Sequence, residues 1–410
     1  MKIRKMAWYR WLLLLIGLWP GLTLEAQALP NSINSKWESL LEEIVNINSG
    51  TGNAVGLDRV RSILIHEFEA LGYTTSLINA GDQNKVLSFD FPTAQPEILF
   101  VGHLDTVFEK ENPFQSFTKI GTTISGPGVI DMKGGIILML NLLAAESLDH
   151  RSKVRIVLND DEETGSTHSR AILRQQAVKI KYGLVFEPGL GDGSVVTEHS
   201  GVRWLKLNVY GRAAHAGLEP EKGINACLEA SYKIAKISAL SEPERGLTVN
   251  VGTIEGGAKP NIVCDQASLT IDIRYRKLAD LTEVLAQIET IRSHSSVFNY
   301  LLNEGTKSTI ESLAELPGMP IESTYELFEL AKQSASAVGI EITGRGVGYA
   351  SDGNNLSETG IQLLVGVGPY GGGMHTNKEF MLTQSYAERL AWLLELTNNI
   401  LTKGAKQNEK

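Results

Sequence analysis

Four short apolar runs, residues 97–101, 154–158, 184–186 and 361–367, limit the fold more than any other feature of this chain. Each is too short to be a core helix and too continuously apolar to be a half-exposed strand. Such runs are strands of a sheet buried on both faces, which in a single chain means helices packed on either side. The intervening segments supply them. Residues 36–47 and 58–71 read as amphipathic helices, the second placing Val60, Ile63, Leu64, Phe68 and Leu71 on one face before the stop at Gly72. Residues 135–148 read as a helix that is apolar nearly all round. Alternating strands and helices predict an α/β layer fold.

Residues 202–303 break that pattern. A partly alternating strand at 202–210, an edge candidate through which the unit would dimerise, is followed by a helix at 223–238, strands at 247–254 and 267–275, a helix at 279–293 and a strand at 297–302. The order β-α-β-β-α-β is that of a ferredoxin-like unit. It reads as an insertion, because layer-type alternation resumes with a helix at 322–337, a short strand near 340–343, the run at 361–367 and a helix at 384–401. Residues 305–320, with Pro317 and Pro320, read as the return linker, and 403–410 as a polar tail. The expected division is a signal peptide at 1–28, a first catalytic part at 29–201, the insert at 202–305 and a second catalytic part at 306–410.

The first segment has its own logic. Lys2, Arg4, Lys5 and Arg10 precede a short apolar block, then Pro20-Gly21 and Ala26-Gln27-Ala28. A basic start, a block too short to span a bilayer and an A-x-A site describe a cleaved secretory signal. The expectation is an exported protein, periplasmic or secreted, with no membrane attachment after cleavage. A formal charge of −9 and the lack of a basic run after residue 10 exclude nucleic acid as a natural partner. Cys227 and Cys264 are too few for a thiolate metal site. Export permits a disulfide between them, but two small buried hydrophobes are the expected role.

Five motifs fall at predicted strand ends or in the loops that follow, where open α/β sheets place their sites. They are Gly102-His103-Leu104-Asp105, Ile130-Asp131-Met132-Lys133-Gly134-Gly135, Asp160-Asp161-Glu162-Glu163-Thr164-Gly165, Phe186-Glu187-Pro188 and Gly373-Met374-His375-Thr376. Two imidazoles and several carboxylates suit zinc or a similar borderline metal. Acids this dense would repel one another unless cations lay between them. Two ions, each with one His and one carboxylate and sharing a third carboxylate, would keep a position open for water. A further carboxylate must stay off the metals to take a proton, and the adjacent Glu162 and Glu163 can divide those roles. Asp160 and Asp161 read as solvent acids at a strand end, and His66, His150, His168 and His294 as surface residues. His199, near the insert's hinge, has no assigned role.

All five motifs occur in the order found in the di-zinc aminoacylase and carboxypeptidase family, and the chain resembles that family from about residue 36 to 402. The likeness is closest to the secreted glutamate-carboxypeptidase branch. It implies a zinc-exopeptidase-like α/β/α catalytic domain with an inserted α+β lid that also dimerises. It implies two zinc ions, with cobalt or manganese as possible substitutes. His103, Asp131 and Glu187 would hold one and Asp131, Glu163 and His375 the other, with a cis peptide after Asp131. Asp105 would orient His103, and Glu162 would be the general base. In the lid, Gly211-Arg212-Ala213-Ala214-His215 matches the motif whose His reaches an active site. Asn261 and Arg274 match positions near the substrate's C-terminal end. The implied reaction is hydrolysis of a peptide or N-acyl bond beside a free α-carboxylate. An N-acyl-amino-acid deacylase or desuccinylase is the alternative enzyme, and a non-catalytic binding member of the fold the alternative of another class. The chain departs from the glutamate-preferring branch at 303–307 and at Gly193-Ser194, where two cations of that branch have no counterpart. Cys264 also stands in place of the usual Pro. A free α-carboxylate is therefore expected to be required and a glutamate side chain not to be strongly preferred.

Overall fold

The computed structural model describes residues 33–92 and 95–408; the predicted signal peptide lies outside them. Strands β1 (Thr74–Gly81), β2 (Asn84–Asp90), β3 (Ile98–His103), β4 (Val154–Asn159), β5 (Tyr182–Val185), β6 (Val195–His199), β11 (Gly344–Val347) and β12 (Gln362–Val365) form one eight-stranded sheet. Its order is β1-β2-β4-β3-β5-β12-β6-β11. The central pairs β4/β3, β3/β5 and β5/β12 are parallel. Side chains leave these strands alternately. Ile98 and Phe100 join one core and Leu99 and Val101 the other, so both faces must be covered. Helices α1 (Ser35–Val45), α2 (Ala54–Ala70), α3 (Gly134–Ala145), α7 (Tyr325–Ala337) and α9 (Thr383–Asn408) contribute to the first core. Helices α4 (Arg170–Gln176) and α8 (Asp352–Leu356) contribute to the second. Ten of the twelve residues of α3 are buried, which accounts for its apolar circumference. The run after β3 crosses to β4 on one side and the chain then returns to β5 on the other. The carboxyl end of β3 is thus a switch point.

The lid is a four-stranded antiparallel sheet of β7 (Gly201–Tyr210), β8 (Thr248–Gly256), β9 (Gln266–Tyr275) and β10 (Lys307–Leu316), in the order β8-β9-β7-β10. Helices α5 (Ala226–Ser238) and α6 (Leu278–Ser293) cover one face. This is the expected ferredoxin-like order, with two corrections. The fourth strand is 307–316, inside the segment read as a linker; it pairs with β7 along its length. The run at 297–302 contributes two paired residues, Phe298 and Asn299, while Tyr300 and Leu301 are exposed. The lid therefore runs to Leu316 rather than 305. Strand β7, read as an edge, lies between β9 and β10. The short strand near 340–343 starts at Gly344, and α9 continues through the expected tail to Asn408.

Both chain crossings to the lid are pinned together. His199 and Met319 exchange backbone hydrogen bonds at 3.0 and 3.1 Å. Asn354 Nδ2, at the start of α8, donates to Ser200 O at 3.1 Å and to Pro317 O at 2.8 Å. Cys227 and Cys264 form a disulfide, correcting the expectation of two free thiols. The bond ties the first turn of α5 to the lid loop that carries Asn261.

Candidate metal centre

The loops at the carboxyl ends of β3, β4 and β5 bring the motif residues to one cluster. His103 ends β3 and is buried; its Nδ1 lies 2.9 Å from Asp105 O and 3.3 Å from Asp105 Oδ1. The Asp105 carboxylate accepts from Glu162 N and Glu163 N, each at 3.2 Å, and from Thr51 Oγ1 at 2.8 Å. Asp105 thus links the imidazole to the loop bearing both glutamates. Asp131 precedes α3, and its peptide bond to Met132 is cis. Gly135 lets the helix start approach β5: a Cβ there would stand 2.2 Å from Phe186 O. His375 has φ +60°, a left-handed conformation uncommon for a residue with a Cβ. Such backbones gather where geometry at a site demands them.

The two oxygens of Asp131 face different imidazoles. Oδ1 lies 3.3 Å from His103 Nε2, and Oδ2 lies 3.2 Å from His375 Nε2. His375 Nε2 is also 3.3 Å from Glu163 Oε2, and His103 Nε2 is 3.7 Å from Glu187 Oε1. Tetrahedral zinc with bonds of about 2.0–2.1 Å holds neighbouring ligand atoms about 3.3 Å apart. Three of the four observed spacings fit that figure, and the His103–Glu187 spacing is 0.4 Å longer. Glu187 Oε1 is buried with no hydrogen-bond partner, as a metal-directed oxygen would be. The donor set therefore fits two borderline divalent ions sharing Asp131. Glu162 lies within 4.8 Å of the His103–Glu187 pair. Among the described residues it makes no ion pair with either imidazole, and with His103 and Glu187 it forms a group close enough to hold an ion.

The electrostatics follow from burial. Burial pushes the Glu187 carboxyl up to about 7, and it raises Glu162, reinforced by the Glu187 charge. Burial likewise raises Glu163. Burial alone would lower His103, but Glu187, Asp105 and Asp131 outweigh it and hold the imidazole well above its usual range. Hydrogen bonds to Asp131 and Glu163 raise His375 to about 10. Without cations the cluster must take up protons to coexist; metal binding would displace them.

A cavity of about 660 Å³ opens from the cluster toward the lid and is lined by Glu162, Glu163, His375 and, across from them, Arg274. Arg274 Nε is held by Asp272 at 3.0 Å, leaving the two terminal nitrogens for a ligand. His215 and Asn261 are exposed and do not line the cavity. They neighbour one another instead, with Ala216 N donating to Asn261 O at 3.0 Å.

Stretches that match known families take in His103, Asp131, Glu162, Glu163 and Glu187 but not His375. Residues 197–297 match the peptidase dimerisation domain of the M20 type, and residues 86–197 match peptidase family M28. Carboxypeptidase G2 of Pseudomonas is 30% identical over 257 residues, 61% of this chain and 62% of that protein. The uncharacterized protein YqjE of Bacillus subtilis is 26% identical over 89% of this chain and 97% of its own. The insert thus matches the dimerisation domain of M20-type peptidases. The aminopeptidase PepT of Bacillus cereus shares the fold of this chain, with a TM-score of 0.76 at 21% identity, covering 91% of this chain and all of that one.

Several residues that shape this site carry no sequence motif. Glu379 accepts from the backbone of Gly128, Ile130 and Asp131 at 3.2, 2.9 and 3.2 Å, and burial raises it to about 7. Lys133, within a motif but with no assigned role, is buried; its Nζ donates to Ile47 O at 3.0 Å and burial lowers it to about 7. Asp352 is buried and accepts from Ser166 Oγ at 2.5 Å and Asn159 Nδ2 at 2.9 Å, bracing the loop that carries Glu162. Asp160 and Asp161, read as solvent acids, are buried. Asp160 pairs with Arg61 at 2.6 Å, and Asp161 accepts from His168 N at 2.8 Å. The signal that could have marked them is their position directly after a strand buried at every residue but Arg155.

Proposed function

We propose that this protein is a metal-dependent exopeptidase of the carboxypeptidase type, hydrolysing a peptide or N-acyl amide bond beside a free α-carboxylate. The observation that carries the reading is Asp131, whose two oxygens each face one imidazole, with Glu162 within 4.8 Å of His103 and Glu187. Two zinc ions held by His103, Asp131 and Glu187 and by Asp131, Glu163 and His375 would supply Lewis acidity at a carbonyl and a water of lowered pKa. Glu162 takes the proton from the attacking water and delivers it to the departing amine. Burial raises its pKa, the direction that suits a group which must both accept and release a proton. Asp105 keeps His103 and the Glu162 loop in register through the contacts described above. Arg274 offers its two free terminal nitrogens as a fork for the substrate's α-carboxylate. His215 and Asn261 belong to the proposal as lid residues that approach on closure. The relationship to carboxypeptidase G2 supports the peptidase reading over that of a non-catalytic member. Export is part of the proposal: the Cys227–Cys264 disulfide suits an oxidising compartment, and N-terminal sequencing should find a start near Leu29.

The test is metal analysis together with turnover of short dipeptides and N-acyl amino acids, each with a free and an amidated C-terminus. Two ions per chain and cleavage of the free acids are expected. Glu162→Gln should retain both ions and lose kcat by a factor on the order of 10²–10⁴. Near-normal turnover in metal-loaded Glu162→Gln would remove Glu162 from its role.

A further inference from the structure

The cavity has two unlike walls. The metal-site wall is acidic; the lid wall is largely apolar. Alternate residues of β9, Leu269, Ile271 and Ile273, are buried in the lid core with α5 and α6, so the opposite face of the lid sheet is turned to the cavity. On that face Trp204 is 42% exposed. Its Nε1 donates to Asp272 Oδ1 at 2.5 Å, and the same carboxylate holds Arg274 Nε at 3.0 Å. Asp272 thus fixes an indole and a guanidinium side by side. On the neighbouring strand, pairing with β7 is regular up to Ser312 and resumes at Ala314. The residue skipped is Leu313, 49% exposed and lining the same cavity. Irregularities of this kind re-aim a side chain beside active sites.

The charges of the cavity narrow its ligand further. Arg170 spends Nη1 on Glu315 O at 3.1 Å and Nη2 on Gly165 O at 3.4 Å, and its Nε is buried. Glu315 is paired with Arg203. Arg274 is then the lining Arg with terminal nitrogens unspent among the described residues. One carboxylate can be met by a fork; a second, side-chain carboxylate would find no cation and would face Glu162 and Glu163.

We infer that Trp204 and Leu313 determine specificity, forming an apolar wall for the side chain of the residue whose α-carboxylate docks on Arg274. The preferred substrate class then ends in an aromatic or branched aliphatic residue rather than an acidic one. The inference rests on the exopeptidase reading and adds the side chain that the site selects.

The experiment compares kcat/KM of the metal-loaded full chain on matched substrates ending in Phe, Leu, Ala and Glu. Phe and Leu should exceed Ala and Glu by about 10- to 100-fold, the range a hydrophobic pocket obtains from a few carbon atoms. Trp204→Ala should shrink the Phe-to-Ala ratio about tenfold or more, and Trp204→Phe should largely restore it. Leu313→Ala, which removes no hydrogen bond, guards against a lid that fails to fold without Trp204 and should also shrink the ratio. A preference for Ala or Glu, or a ratio unmoved in both alanine variants, overturns the inference while leaving the exopeptidase reading intact. If no peptide or acyl amino acid is turned over, that reading fails. Calorimetric titration of the metal-loaded chain with free phenylalanine and free glutamate then still reads the wall: tighter phenylalanine supports it and equal affinities overturn it.

Discussion

Glu379 shows how much of a metal site lies outside its ligands. A single carboxylate gathers three backbone N–H groups of the loop that presents Asp131, so it sets where the shared ligand points. Removing it leaves three buried donors without a partner and loosens Asp131. Glu379→Ala is expected to weaken metal binding by about 10- to 100-fold, the usual cost of losing a group that orients a ligand. Chelator competition on folded protein measures it, and unchanged affinity would place Glu379 outside the site. Such a residue is hard to read in a sequence, because it bonds to backbone atoms some 250 positions away and so leaves no local pattern. The ligands are legible for the opposite reason: each sits at the end of an apolar run or in the loop after it. His199 belongs to a second class, buried for stability. Burial lowers it to about 4, with Nδ1 donating to Tyr349 O at 2.8 Å and Nε2 3.2 Å from Ser351 Oγ. The unfolded chain, with a His pKa near 6.5, binds a proton between pH 6.5 and 4 that the folded chain refuses. Stability is therefore full above pH 6.5 and falls as pH drops through that window, by up to about 3 kcal/mol. Denaturation midpoints of the native chain and of His199→Asn across pH 7 to 4 test this, with a shallower slope expected in the variant.

At the scale of elements, α8 is five residues long yet joins three parts of the protein. Asn354 clamps both lid crossings, and Asp352, two residues earlier, braces the loop bearing Glu162. Asn354→Ala leaves the carbonyls of Ser200 and Pro317 short of a buried donor, a cost of about 1–3 kcal/mol. Faster hydrogen exchange is expected at 199–201 and 318–319, with β3 unchanged; equal protection at the crossings would show that the His199–Met319 pairing suffices. The elements that sequence reasoning places well are those whose burial is complete. β3 is buried at every position, and its six residues announce it. β10 escaped because its residues are mostly exposed or half-exposed; its sequence carries no steady alternation, and two nearby prolines suggest a connector. The run at 297–302 misled in the reverse sense, since Tyr300 and Leu301 are apolar but face solvent. Apolar character alone does not report burial when a surface has another use for it.

At the scale of the whole molecule, the placement of β7 changes where a second copy of the chain would dock. The expected edge is interior, so its backbone groups are already satisfied on both sides. The free edges of the lid sheet are β8 and β10. Residues 312–316 of β10 line the cavity, so covering that edge would obstruct the substrate's path. β8 lies at the far side of the sheet, and Ile254 on it is 57% exposed. An exposed edge with an apolar residue invites strand addition by another chain. Together with the match of residues 197–297 to a peptidase dimerisation domain, this predicts a homodimer joined through β8. Sedimentation of the full chain should give twice the monomer mass at micromolar concentration. Ile254→Asp should place two buried like charges near the symmetry axis and shift the protein to monomer, with metal content and circular dichroism retained. A variant that remains dimeric would move the interface away from β8, and a native chain that stays monomeric would leave the lid to act within one subunit alone.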